Sequence, residues 1–140
     1  MAVARFLADK SALARLSHEA VADRLRPLLE AGLVATCAVV ELEVLFSTRN
    51  HDEYETVQSD RRSGYEWLPM PDQVWDRALE VQQELSRTGR LRSAKIPDLL
   101  VAATAERHGV TVIHYDTDFD RIAEITGQPA EWVVPAGTVP

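Results

Sequence analysis

The sequence predicts an α/β fold: a three-layer α/β/α sandwich around a central, mainly parallel sheet of four to five strands. Short apolar runs rich in β-branched residues alternate with longer amphipathic segments. That alternation implies parallel strands joined by helical crossovers. The chain has 140 residues, 46% of them hydrophobic, with no repeat and no linker-like tract. Such a chain suits one domain over residues 1–140 with one core.

Arg5 to Ala8 reads as the first strand, ending at Asp9. Ser11 to Leu16 reads as a short helix. Residues 18–31 place Val21, Leu25, Leu28 and Leu29 at helical spacing. Pro27 inside that pattern predicts a kink or break, and Gly32 a stop. Leu33 to Cys37 is a second strand. Residues 51–65 read as a polar helix, and Glu66 to Leu68 as a short extended piece before Pro69 and Pro71. Residues 72–88 form a strongly amphipathic helix with Val74, Leu79, Val81 and Leu85 apolar. Thr88 to Ile96 is a basic loop. Asp98 to His108 is a helix apolar on most sides, hence buried. Val110 to His114 is a strand, Thr117 to Ile125 a helix, and Trp132 to Val134 a last strand.

The stretch AVVELEVLFS, residues 38–47, sets Glu41 and Glu43 in an otherwise apolar run. As a strand it would present both acids on one solvated face. As a helix it sends them to roughly opposite sides. Its length to Asn50 and the strand ending just before it favour the helix, with Thr36 as its N-cap. An ionised carboxylate in an apolar setting needs a partner or a metal.

Net charge is −7, which taken alone argues against a dedicated nucleic-acid binder. Acids gathered around a metal would cancel part of that excess. No apolar run is long enough to span a bilayer. MAVARFLADKS meets a charge too early for a secretory signal. Cys37 is the only cysteine, so a core thiol in a reducing cytoplasm is expected.

In open α/β sheets, ligands bind outside the carboxyl ends of the strands. Asp9 follows the first strand, Asp98 opens the buried helix, and Asp116, with Asp118 two residues on, follows the strand VTVIHY. Each has a bland reading as a cap or first-turn acid. Together, with Glu41 nearby, they form a set of carboxylates that repel one another until a hard cation joins them. A divalent metal and a phosphate-containing substrate follow.

The ordered set LADKSAL, ATCAVVELEVLFS, IPDLLVAATAERHG and VIHYDTDFDRIA resembles the PIN-domain ribonucleases. More narrowly it resembles the VapC toxins of bacterial VapBC toxin–antitoxin systems, over nearly the whole chain. The resemblance implies a PIN-like sandwich and an endoribonuclease using Mg²⁺, with Mn²⁺ as a substitute. Carried over by position, the catalytic and metal-holding acids are Asp9, Glu41, Asp98 and Asp116, with Asp118 reaching metal through water. Glu41, which precedes a leucine, takes the family's Glu-Leu position and leaves Glu43 without a role. Ser11 supports the first acid. The family often has Thr or Ser where His114 stands. The resemblance also implies a tRNA or rRNA target, a homodimer, and a cognate VapB antitoxin that inserts a cation among the carboxylates.

Arg87, Arg90, Arg92 and Lys95 crowd the loop leading to Asp98 and are candidate phosphate contacts. Arg61 and Arg62 read rather as a solvated face, and Trp67, Trp75 and Trp132 as core. Two other readings compete. Asp116-Thr117-Asp118 resembles the DxD of haloacid-dehalogenase phosphatases, but that motif belongs after the first strand. A PIN fold serving only as an RNA- or protein-binding module would be favoured by loss of an acid, and all four are present.

Overall fold

The computed structural model describes residues 2–140. Its sheet has five strands in the order β3-β2-β1-β4-β5. These are β1 (Phe6–Ala8), β2 (Val34–Thr36), β3 (Glu66–Trp67), β4 (Thr111–His114) and β5 (Ala130–Trp132). All four pairings are parallel, with Leu7 opposite Ala35 on one side and Val112 on the other. The central strands are therefore apolar on both faces, as parallel strands under helices must be.

The helices are α1 (Lys10–Leu13), α2 (Glu19–Glu30), α3 (Ala38–Phe46), α4 (His51–Gly64), α5 (Asp72–Arg87), α6 (Ile96–His108) and α7 (Asp118–Thr126). The step from β1 to β2 crosses the sheet in one direction, and the steps from β3 to β4 and β4 to β5 in the other. Right-handed crossovers then put α2 on one face and α5, α6 and α7 on the opposite face. The sandwich is thus the three-layer one expected. Helix α6 lies deepest, with every residue from Asp98 to Ala105 buried. Gly109 ends it at φ 68°, a conformation only glycine adopts without strain.

Several details depart from the expected pattern. Helix α2 runs through Pro27 to Glu30. Proline there costs one bond near the helix end, which the burial of Val21, Ala22 and Leu25 outweighs. The first short helix ends at Leu13, and the last strand is shifted to Ala130–Trp132 by its pairing with β4. Thr36 is not the N-cap of α3. It is the last residue of β2, and Cys37 takes the cap position without a side-chain bond. Cys37 is buried, as expected of a core thiol. Trp67 and Trp75 are not core: each is about half exposed, and Leu79 is exposed too. Trp132 is partly buried, packed against His114 and Tyr115, and donates to Asp120. Among the described residues, no helix is long and apolar enough to cross a membrane.

Candidate active site

The strand order reverses direction between β1 and β4, which makes the crevice beyond their carboxyl ends the switch point of the sheet. Asp9 leaves β1 there and Asp116 lies just past β4. The Asp9 amide donates to the Ile113 carbonyl (3.0 Å), which pins the turn after β1 to β4. Ser11 is the clasp: its amide and hydroxyl both donate to Asp9 Oδ2 (3.0 and 2.6 Å), and its oxygen accepts from the Tyr115 amide (2.8 Å). Asp116 Oδ1 accepts from the Asp118 amide (2.9 Å), setting the entry to α7. Asp98 enters from the first turn of α6, where Pro97 is preorganised for the helix.

Asp98, Asp116 and Asp118 each offer an oxygen, all within 4.8 Å of one another. Asp9 and Asp98 are both 3% exposed. Burial, followed by the neighbouring charge of Asp9, pushes Asp98 up to about 8. Burial also raises Asp9, against the two bonds from Ser11. Lys95 reaches into this group, with Nζ 2.7 Å from Asp118, 2.9 Å from Asp116 and 3.5 Å from Asp98. Burial opposes the charge on Asp118, but the bonds from Lys95 outweigh it and hold that carboxyl below its usual range.

Glu41 does not join the group. Its carboxylate turns to the opposite side of α3, where Arg61 of α4 binds it and the Thr36 hydroxyl donates to it. Arg61 is 8% exposed and stacked on Tyr65 at 4.2 Å, so it is no solvated surface residue. Glu43 faces the carboxylates instead. Burial and then the charge of Asp9 raise its pKa, and its Oε1 is buried without a hydrogen-bond partner. Two residues along a helix turn by about 200°, so either acid can face the site but not both. A leucine after the glutamate could not decide which; a buried arginine twenty residues later did.

Asp9 Oδ1 and Asp98 Oδ2 are likewise buried without hydrogen-bond partners, Asp98 Oδ2 having only the Lys95 ammonium at 3.5 Å beside it. Buried carboxylate oxygens are seldom left so. Clustered, oxygen-only and short of partners, they fit a hard divalent cation. His114 stands behind them as packing: wholly buried, against Phe119 and Trp132, with Nδ1 accepting from the Asp116 amide. Burial lowers its pKa to about 4, so the ring is neutral. Of the four expected RNA contacts, Arg87 pairs with Glu84, Arg90 with Glu124, and Lys95 with the site acids. Among the described residues Arg92 makes no ion pair.

The PIN domain family matches residues 7–125. The chain belongs to the PIN domain family. Within it, this PIN domain is 51% identical to Ribonuclease VapC21 of Mycobacterium tuberculosis over 134 residues, covering 96% of this chain and 97% of that protein. It is 44% identical to Ribonuclease VapC51 of the same organism over 135 residues, 96% of this chain and 97% of that protein. Among solved structures, the DNA-bound VapBC of Salmonella typhimurium superposes with a TM-score of 0.76 at 17% identity, over 94% of this PIN domain and all of that chain. VapBC-5 of M. tuberculosis superposes at 0.59 with 24% identity, over 92% of this PIN domain and 97% of that chain. With those two structures the likeness is one of fold.

Proposed function

We propose that this chain is a metal-dependent endoribonuclease and the toxin of a VapBC pair. The observation that carries the reading is the carboxylate group at the sheet's switch point, with buried oxygens on Asp9, Asp98 and Glu43 that have no hydrogen-bond partner. The curated relatives named as VapC ribonucleases support it.

Asp9, Asp98 and Asp116 would hold Mg²⁺ or Mn²⁺, with Asp118 reaching it through water. Glu43, rather than Glu41, would support the ion from α3, because its carboxylate lies near Asp9 with Oε1 buried and without a hydrogen-bond partner. When bound, the ion supplies charge neutralisation at the scissile phosphate and a water of lowered pKa. Ser11 keeps Asp9 from rotating away. The buried walls around Asp98 exclude bulk water. Water adds to phosphorus as the bond to the 3′-oxygen breaks, leaving a 3′-hydroxyl and a 5′-phosphate. Lys95 stands where it can follow the substrate phosphate or remain on the acids.

A VapB antitoxin would silence the site by seating a cationic side chain among these carboxylates, as Lys95 already does in part. A homodimer in the cytoplasm and a tRNA or rRNA substrate complete the reading.

The test is cleavage of total bacterial RNA with Mg²⁺ or Mn²⁺, with the new 5′ ends mapped by sequencing. A discrete, metal-dependent cut that Asp98→Asn abolishes supports it. No cut by folded, antitoxin-free protein would return weight to a binding module.

A further inference from the structure

A second cavity opens on the side of α3 away from the carboxylates. It measures about 410 Å³ and lies between α3, α4 and the carboxyl ends of β2 and β3. That size falls within the range of small-ligand sites, about 300–1,000 Å³. Its floor is the Arg61–Glu41 ion pair, tied to Thr36 and stacked on Tyr65. The charges of the floor are matched to one another. Its mouth is different. Trp67, on the outermost strand, is 54% exposed, and Gln58 and Arg62 stand beside it with hydrogen-bonding groups. Arg62 makes no ion pair among the described residues.

We propose that this cavity binds an unstacked RNA base a few nucleotides from the scissile phosphate. The inference rests on the ribonuclease reading and adds to it a substrate contact. Single-stranded RNA is read by stacking splayed bases on aromatic or guanidinium planes and by hydrogen bonds to their edges. Trp67 supplies the plane. Gln58 supplies both a donor and an acceptor, and Arg62 a cation for the adjoining backbone. Glu41 and Glu43 leave opposite sides of one helix, so the cavity and the carboxylates are separated by about one helix diameter, roughly 10–12 Å. A few nucleotides of single strand bridge that distance. A helix from a protein partner would want a continuous apolar stripe, whereas five of the eight lining residues, Thr36, Glu41, Gln58, Arg61 and Arg62, carry polar or charged groups that interrupt it. The chain is acidic as a whole, so local contacts of this kind carry the selection that net charge does not.

The test uses full-length Asp98→Asn protein and four single-stranded RNA hexamers, of A, C, G and U. The Trp67 indole resonance is followed by NMR and affinity is measured by titration. At least one hexamer should move that resonance and bind fivefold or more weakly once Trp67→Leu is added, with the melting temperature unchanged. Gln58→Leu is the second variant, should Trp67→Leu fail to fold, and should change which hexamer is preferred. A silent Trp67 with all four hexamers, or affinity indifferent to both substitutions, overturns the proposal. If wild-type protein still cuts bacterial RNA, the pocket alone has failed. If it neither cuts nor binds RNA, the ribonuclease reading has failed as well.

Discussion

Arg61 and Glu41 close a buried ion pair between α4 and α3. Arg61 Nε lies 2.9 Å from both carboxylate oxygens and Nη2 lies 2.6 Å from Oε2. Removing one partner leaves the other charged and buried, which costs about 3–5 kcal/mol. Arg61→Met alone should therefore lower stability by that amount in urea unfolding. Adding Glu41→Leu should recover most of it, because an apolar pair of similar volume has no charge to solvate. A single variant as stable as wild type would show that the pair is not closed in solution.

Glu43 and Glu41 should separate cleanly by assay. Glu43→Gln is expected to reduce RNA cleavage on the order of 10–100-fold, the usual scale for a group supporting a metal site, with unfolding unchanged. Glu41→Gln should do the reverse and mainly lower stability. The opposite pattern would restore Glu41 to the metal.

Lys95 competes with any cation for Asp116 and Asp118. Lys95→Met should tighten Mn²⁺ binding about five- to tenfold by calorimetry. That corresponds to about 1 kcal/mol, a magnitude limited by the exposure of the ammonium. Unchanged affinity would mean that Lys95 moves aside without cost.

Cys37 gives a pH signature. Burial raises its thiol from 9.0 to about 11. A group whose folded pKa is raised contributes stability present below pH 9 and lost as pH rises through 11. Cys37→Ala should therefore lose less stability than wild type between pH 9 and 11, by about 2–3 kcal/mol. The native thiol should also resist an aromatic disulfide reagent at pH 8 and react once the chain is unfolded. Rapid labelling of folded protein would contradict its burial.

The layer architecture was legible because periodicity and strand–helix alternation report burial directly. That Asp9, Asp98 and Asp116 meet in space was legible because each follows a strand or opens a helix at one sheet edge. The choice between Glu41 and Glu43 was not, since it depends on Arg61, which reads locally as one of several polar residues on a hydrophilic helix. Trp67 and Trp75 misled for a related reason. Tryptophan is usually buried, and nothing next to either residue shows that the sheet ends at β3 or that α5 turns an apolar side outward. The loop arginines were read by proximity in sequence, whereas Glu84 and Glu124 neutralise two of them in space.

The pairing of Ala8 with Ile113 also fixes when the carboxylates can gather during the molecule's own synthesis. Asp9 is synthesised well before β4, the strand that holds its turn in place. A nascent chain that stops anywhere before β4 carries some of the acids but no gathered site. Contacts so distant in sequence also form late in folding. Any chemistry that needs the gathered carboxylates therefore waits on β4, and an incomplete chain that lacks this strand lacks the site.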